Sequence, residues 1–270
     1  MIFVYILIAL VALFLFMIFP AIRRHPDREI MRGIYIAHRG LHSGDERVPE
    51  NSLLAFSKAV EKGIAIETDI HITADNEVVI FHDDTFERMC GGDTRRAEDL
   101  TLKEIKKLRL LGTEHSIPTL KECLDLVDGS VPLLIEFKTK SPKTCRRLCN
   151  AANEILKGYK GKYFIQSFYP FVPYWYRRHR KDIMRGQLSS GHFEEKQFYM
   201  KLLSALLFNF LARPDFVAYE HKNKNNFFRC LCAFLGAHSA GWTFQNEGEV
   251  NAAKDKMHTY IFESFIPEEK

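Results

Sequence analysis

Five side chains in this sequence have the types and positions that metal-assisted acid–base chemistry needs: His38, Glu67, Asp69, His82 and Glu136. Along Ile64–Ile70 the period of two puts Ile64, Ile66, Thr68 and Ile70 on one face and Ala65, Glu67, Asp69 and His71 on the other. Two carboxylates on one face of a buried strand are costly to desolvate unless a cation sits between them, and a hard divalent ion, Ca2+ or Mg2+, takes such oxygens. A half-exposed strand with its polar face in water has the same pattern, so this pair alone leaves both readings open. The run Val78–Phe81 brings His82 to a strand terminus beside the carboxylates, and Leu133–Lys138 puts Glu136 and Lys138 on one face of a very apolar strand. His38-Arg39-Gly40 ends the first strand, with Gly40 permitting a tight turn. A metal with Arg39 and Lys138 would neutralise phosphate oxygens, while two histidines near neutral pKa would supply an acid and a base. Pro49-Glu50-Asn51-Ser52 precedes an amphipathic helix, where Asn51 or Ser52 reads first as an N-cap.

The elements that must position these groups alternate. Strands are expected at 34–37, 64–70, 77–81, 133–137, 163–167, 183–187, 216–219, 237–244 and 259–262. Helices are expected at 52–62, 102–110, 120–126, 143–157, 172–180 and 251–256. Strands separated by helices make parallel βαβ units, and this many units fit an α/β fold of the (β/α)8 TIM-barrel kind. The connection through Thr73-Ala74-Asp75-Asn76 is too short for a parallel crossover, so those two strands form a hairpin and the barrel is distorted. A small excursion at about 84–116 leaves the barrel mouth. The apolar stretch 193–211 is expected as a barrel helix packed on the sheet, with a membrane-resting helix as the alternative.

From Ile2 to Ile22 no residue is charged, and Arg23, Arg24, Arg28 and Arg32 follow. This pattern predicts a single transmembrane anchor at 1–22, a linker at 23–33 and the barrel at 34–270. A cleavable signal is disfavoured by the missing basic n-region and the missing small-residue cleavage site. The arginines place the catalytic domain on the cytoplasmic side of the cell membrane.

Composition excludes little beyond disorder: 46% of residues are hydrophobic and 27% charged, with a net charge of +4. No long Lys/Arg run marks a nucleic-acid partner. The six cysteines lack paired C-x-x-C spacing, and their scatter leans toward a reducing compartment.

Taken in order, Ile36-Ala37-His38-Arg39-Gly40, Pro49-Glu50-Asn51-Ser52, the run Glu67–Asp83, Ile117-Pro118-Thr119-Leu120, Leu134–Lys138, Gln166-Ser167-Phe168 and Gly241-Trp242-Thr243 resemble the signature of the glycerophosphodiester phosphodiesterase family. The resemblance spans about residues 34–267. It implies a barrel with one divalent cation held by Glu67, Asp69 and Glu136, and His38 and His82 as the acid/base pair. It further implies phosphate contacts from Arg39 and Lys138, Glu50 at the site mouth, and Trp242 as an aromatic wall. The expected reaction is hydrolysis of a glycerophosphodiester to glycerol phosphate and an alcohol, by direct water attack or through a cyclic phosphate. Lysophospholipase D-like cleavage of a lysophospholipid is the close alternative; a non-catalytic membrane-tethered module and a metal-dependent aldolase are the more distant ones. Two stretches depart from the family pattern: the polar loop His42–Arg47, and the last strand, which continues as Tyr260–Phe265.

Overall fold

The computed structural model describes residues 1–191 and 198–268. In chain order the elements are α1 (Ile2–Ile18), α2 (Arg28–Met31), β1 (Tyr35–Ala37), α3 (Leu53–Glu61), β2 (Ala65–Ile72), β3 (Val78–Ile80), α4 (Leu102–Ile105), α5 (Leu120–Val127), β4 (Leu133–Phe137), α6 (Pro142–Leu156) and β5 (Tyr163–Ser167). They continue with α7 (Phe171–His179), β6 (Arg185–Ser189), α8 (Phe198–Ser204), α9 (Asn209–Ala212), β7 (Phe216–Glu220), α10 (Phe227–Phe234), β8 (His238–Phe244), α11 (Glu247–Asn251) and β9 (Thr259–Phe262).

The sheet runs β1-β9-β8-β7-β6-β5-β4-β2, and β1 pairs with β2 in parallel, so eight parallel strands close into a barrel. The hairpin expected from the short Thr73–Asn76 connection is present. β3 pairs antiparallel with β2 from Ile70 to Ile72, beyond the point where β1 has ended. Inside the barrel Ile36, Ala65, Leu134, Phe164, Met184, Phe216 and Ile261 form one buried cluster. A second, larger cluster fills the layer between β2, β4 and β5 and helices α3, α5, α6 and α7. The excursion expected at 84–116 carries its own small core of Phe86, Met89, Leu100, Ile105 and Leu110 against Val79 and Phe81.

Four expectations need correction. The anchor segment is helical only as α1, 17 residues long. It stops at Phe19, because the residue before Pro20 is driven to extended backbone. At ~1.5 Å per residue it reaches about 26 Å, under the ~30 Å of a hydrocarbon core. No helix among the described residues is long and apolar enough to cross a membrane. The stretch 23–33 is packed rather than a free linker: α2 puts Met31 into the barrel interior, and buried Arg28 donates to the Gly236 carbonyl at 2.6 Å. The single barrel helix expected at 193–211 lies partly outside the described residues (193–197). The rest is broken at Leu206, whose positive φ separates α8 from α9. Helix α10 was not foreseen, and the helix expected at 251–256 is instead α11, starting at an Asn246 N-cap that accepts from the Glu249 amide.

Candidate active site

Parallel register does most of the positioning. β2 and β4 align Asp69 with Glu136 and Glu67 with Leu134, so the inward face of β2 and that of β4 present their carboxylates at the same level. All three are buried, with exposures of 1% for Glu67, 0% for Asp69 and 6% for Glu136. One oxygen from each lies within 4.8 Å of the others. The half-exposed alternative for this strand is thereby excluded.

The cations are close. Lys138 Nζ lies 2.6 Å from Glu136 and 3.1 Å from Asp69, and Arg39 Nε lies 3.7 Å from Asp69. Burial would raise the Asp69 pKa, but Lys138, His82, Arg39 and His38 outweigh it and hold this carboxyl well below the usual range. Glu67 goes the other way: burial, reinforced by Asp69 and Glu136, pushes it well above the usual range. Three buried carboxylates set against Lys138 and Arg39 are thus one positive charge short of neutrality. The buried Asp69 Oδ1 has Lys138 Nζ beside it at 3.1 Å but accepts no well-aligned hydrogen bond. An all-oxygen set of this kind fits a hard divalent cation, and it fits Ca2+ and Mg2+ alike.

The turn after β1 supplies the next groups. Arg39 takes positive φ and its amide donates to Glu67 at 3.1 Å. Gly40 follows at φ +80, and a Cβ there would sit 2.9 Å from Ala55, so only glycine lets α3 approach this closely. The Asn51 side chain turned out not to cap α3. Ser52 is the cap, accepting from the Ala55 amide, while Asn51 Nδ2 donates to Asp69 at 2.9 Å and its Oδ1 accepts from Thr68. Glu50 accepts from Arg39 at 2.8 Å and from Arg88 at 2.6 Å, so it holds the Arg39 guanidinium in place.

Both histidines are oriented by carboxylates. His82 Nδ1 pairs with Asp83 at 2.7 Å, and His38 Nδ1 pairs with Glu263 at 2.6 Å. Since an ionised carboxylate only accepts, each Nδ1 carries the proton and Nε2 is the nitrogen left for the cavity. Burial lowers the His38 pKa, opposed by Glu263, so the ring is neutral at pH 7. Glu263 sits just past β9, in the stretch read beforehand as a departure; its carboxyl, hydrogen-bonded by His38, falls to about 2. Gln245 donates to its other oxygen at 2.7 Å. Glu263, Asn51, Asp83 and Arg88 were all missed from sequence, since none lies on the alternating face of a strand. The signal available for Glu263 was a charged residue directly after a barrel strand, the position where functional groups gather.

One cavity at the C-terminal ends of the strands is lined by His38, Arg39, Glu50, Glu67, His82, Glu136, Lys138 and Trp242, together with Gln166, Lys222 and Glu263. Every residue singled out from sequence therefore meets here, Asp69 lying just beneath the lining. Trp242 stands edge-on to Phe168, 5.8 Å between ring centres, and forms part of the wall.

Residues 38–260 match the model of the glycerophosphoryl diester phosphodiesterase family. The chain belongs to that family. Among curated relatives, a glycerophosphodiester phosphodiesterase of Caldanaerobacter subterraneus is 38% identical over 118 residues, 41% of this chain and 46% of that protein. Human glycerophosphodiester phosphodiesterase 1 is 31% identical over 159 residues, 55% of this chain and 46% of that one. A lysophospholipase D of Rattus norvegicus is 29% identical over 164 residues, covering 56% and 49%. The chain thus spans about half the length of the curated relatives it matches. A solved phosphodiesterase of Oleispira antarctica, in complex with sn-glycerol-3-phosphate, has the same fold. It aligns with a TM-score of 0.70 and 23% identity over 88% of this chain and 95% of that one. A glycerophosphodiester phosphodiesterase of Thermotoga maritima aligns at 0.66 and 24%, covering 85% and 93%. Within the glycerophosphoryl diester phosphodiesterase family, then, this chain keeps both the barrel and an acidic triad able to hold a metal.

Proposed function

We propose that this chain hydrolyses glycerophosphodiesters to glycerol phosphate and an alcohol, with His38 and His82 as its acid/base pair. What carries this reading is the convergence of three buried carboxylates within 4.8 Å, flanked by two imidazoles that carboxylates orient, in a chain of this family. Glu67, Asp69 and Glu136 would hold one divalent cation, Ca2+ or Mg2+, which when bound supplies positive charge for the phosphate oxygens. Arg39 and Lys138 add charge on the same side, and Glu50 with Arg88 fixes where the Arg39 fork points. His38, neutral because it is buried, takes the proton of the attacking hydroxyl or water through Nε2. His82, entering the reaction as the imidazolium with Asp83 holding its Nδ1 proton, gives its Nε2 proton to the leaving oxygen, and the proton gained by His38 is passed back through solvent. Trp242 walls the side of the cavity where the glycerol or alcohol portion would lie.

A second reading, cleavage of a lysophospholipid, is favoured by one observation: α1 is apolar along its whole length and exposed nearly throughout. Association of α1 with a cell membrane belongs to this proposal, as does a cytoplasmic placement, supported by six cysteines that are all free. Turnover of glycerophosphocholine and of lysophosphatidylcholine, each with and without chelator, tests both. Activity on either that survives excess chelator would overturn the metal requirement, and inactivity on both would overturn the hydrolase reading.

A further inference from the structure

The direction in which α1 leaves the barrel carries more than its composition does. Ala21, just after α1, donates to the Pro214 carbonyl at the entry to β7, the barrel end opposite the cavity. Ile18 is buried among Val217, Tyr219 and Cys232, and its carbonyl accepts from Asn209. One turn earlier, Phe14 packs on Phe228 at 6.3 Å, near the start of α10. Helix α10 begins after β7 has delivered Glu220, His221 and Lys222 to the cavity, so Phe228 lies at the cavity end. With 14 beside 228 and 18 beside 232, α1 runs parallel to α10 and its earlier residues pass beyond the rim. The part Ile2–Leu13 extends roughly 18 Å past this contact.

Among the described residues, none buries that part. Ile2 and Phe3 are each 77% exposed, and exposure stays at half or more at Ile6, Leu10 and Leu13. The helix is apolar on every side, which suits a lipid environment, whereas a groove in a partner protein would cover one stripe. Other exposed large apolar residues sit at the same end. Phe171 opens α7 after β5, Phe227 opens α10 after β7, and Phe198 and Tyr199 open α8, whose last turn is tied to Ser189 and Ser190 at the end of β6. At the opposite end lie Ile22 and Phe234, with Phe16 stacked against Arg213. Lys222, exposed on the cavity lip, and Lys224 beside it bring the positive charge that anionic headgroups attract.

We infer that the cavity-bearing end of the barrel docks on a lipid surface, with α1 entering the near leaflet and the rim aromatics at the headgroup level. The projecting length matches half of a ~30 Å hydrocarbon core. The inference takes from the proposed function only that the cavity is the active site; it then specifies that the site opens toward lipid, so that diesters held in the surface reach it without crossing bulk water.

The test uses the full chain with vesicles of phosphatidylcholine and phosphatidylglycerol carrying brominated acyl chains. Phe227→Trp and Phe234→Trp report the two ends of α10 against the common background of Trp175 and Trp242. The expected result is stronger quenching for Phe227→Trp than for Phe234→Trp. The double variant Ile6→Glu/Leu10→Glu should partition to vesicles at least about 100-fold more weakly, from the cost of two buried charges. Its turnover of soluble glycerophosphocholine should match the unmodified chain. Equal or reversed quenching would overturn the orientation. Vesicle binding that survives the glutamates would overturn the role of α1, and so would a lipid-free dimer that the glutamates dissociate. If the unmodified chain fails to turn over glycerophosphocholine, the proposed hydrolysis falls while the quenching comparison still decides how the barrel sits.

Discussion

The carboxylate of Glu263 accepts the Nδ1 proton of His38 at 2.6 Å, across 225 residues of sequence. The bond ties the end of β9 to the end of β1, its neighbour in the barrel. It holds the imidazole in the tautomer whose Nε2 can take a proton. Glu263 is thus a positioning residue, and Glu263→Gln should lower kcat by about 10-fold to 100-fold, as loss of an orienting partner does at comparable His–carboxylate pairs, with KM little changed. Glu263→Asp should recover part of the loss. A fall in KM affinity alone, with kcat intact, would point to a substrate contact instead.

Removal of either imidazole should cost more. His38→Ala and His82→Ala should each lower turnover by about 10²-fold to 10⁴-fold with unchanged circular dichroism. His71→Ala, His115→Ala and His258→Ala should have mild effects. The nearest of these to the site, His71, meets the His82 carbonyl only at 3.4 Å. Near-normal turnover in His82→Ala would end the two-histidine mechanism.

The triad should also announce its ion without any turnover. A ligand bound only by the folded state at 100 times its Kd adds about 2.7 kcal/mol of stability. Added Ca2+ or Mg2+ should therefore raise the thermal midpoint of the chelated protein, and Asp69→Asn should abolish that rise. An Asp69→Asn protein still stabilised by the ion would move the site elsewhere.

Acid stability should depend on a histidine far from this chemistry. His238 lies wholly buried in β8, hydrogen-bonded to Thr259, and burial followed by the neighbouring His258 lowers its pKa to about 3. Between pH 6.5 and about 3 the unfolded chain binds this proton and the folded chain does not, so stability is complete above the unfolded pKa and declines as the pH drops through that window. Urea midpoints measured from pH 7 to pH 4 should fall, and His238→Gln should flatten the part of the slope that this group contributes. An unchanged slope would assign acid lability to other groups.

Most of the barrel was legible because its information is local. Alternation along Ile64–Ile70, the very apolar Leu133–Phe137, and the four-residue Thr73–Asn76 connection each specify one element without reference to the rest. Boundaries slipped where tertiary pairing set them: β6 begins at Arg185, later than Ile183, because its register is fixed by β5 and β7. Helix α10 escaped notice because its apolar stripe, Phe228, Leu231 and Cys232, is completed by Ile18 and Phe14 from the other end of the chain.

By itself, the sequence determined the order of the strands and the three acids and two imidazoles that strand periodicity places on inward faces or at strand ends. Tertiary structure alone decided what supports them. Glu263 meets His38, Asn51 meets Asp69 and Glu50 meets Arg39 because loops at strand ends have no period, so their side-chain directions depend on which strands the closed barrel brings together. It likewise decided that α1 runs past the cavity rim, since a uniformly apolar run specifies burial but not the surface against which, or the direction in which, it is buried.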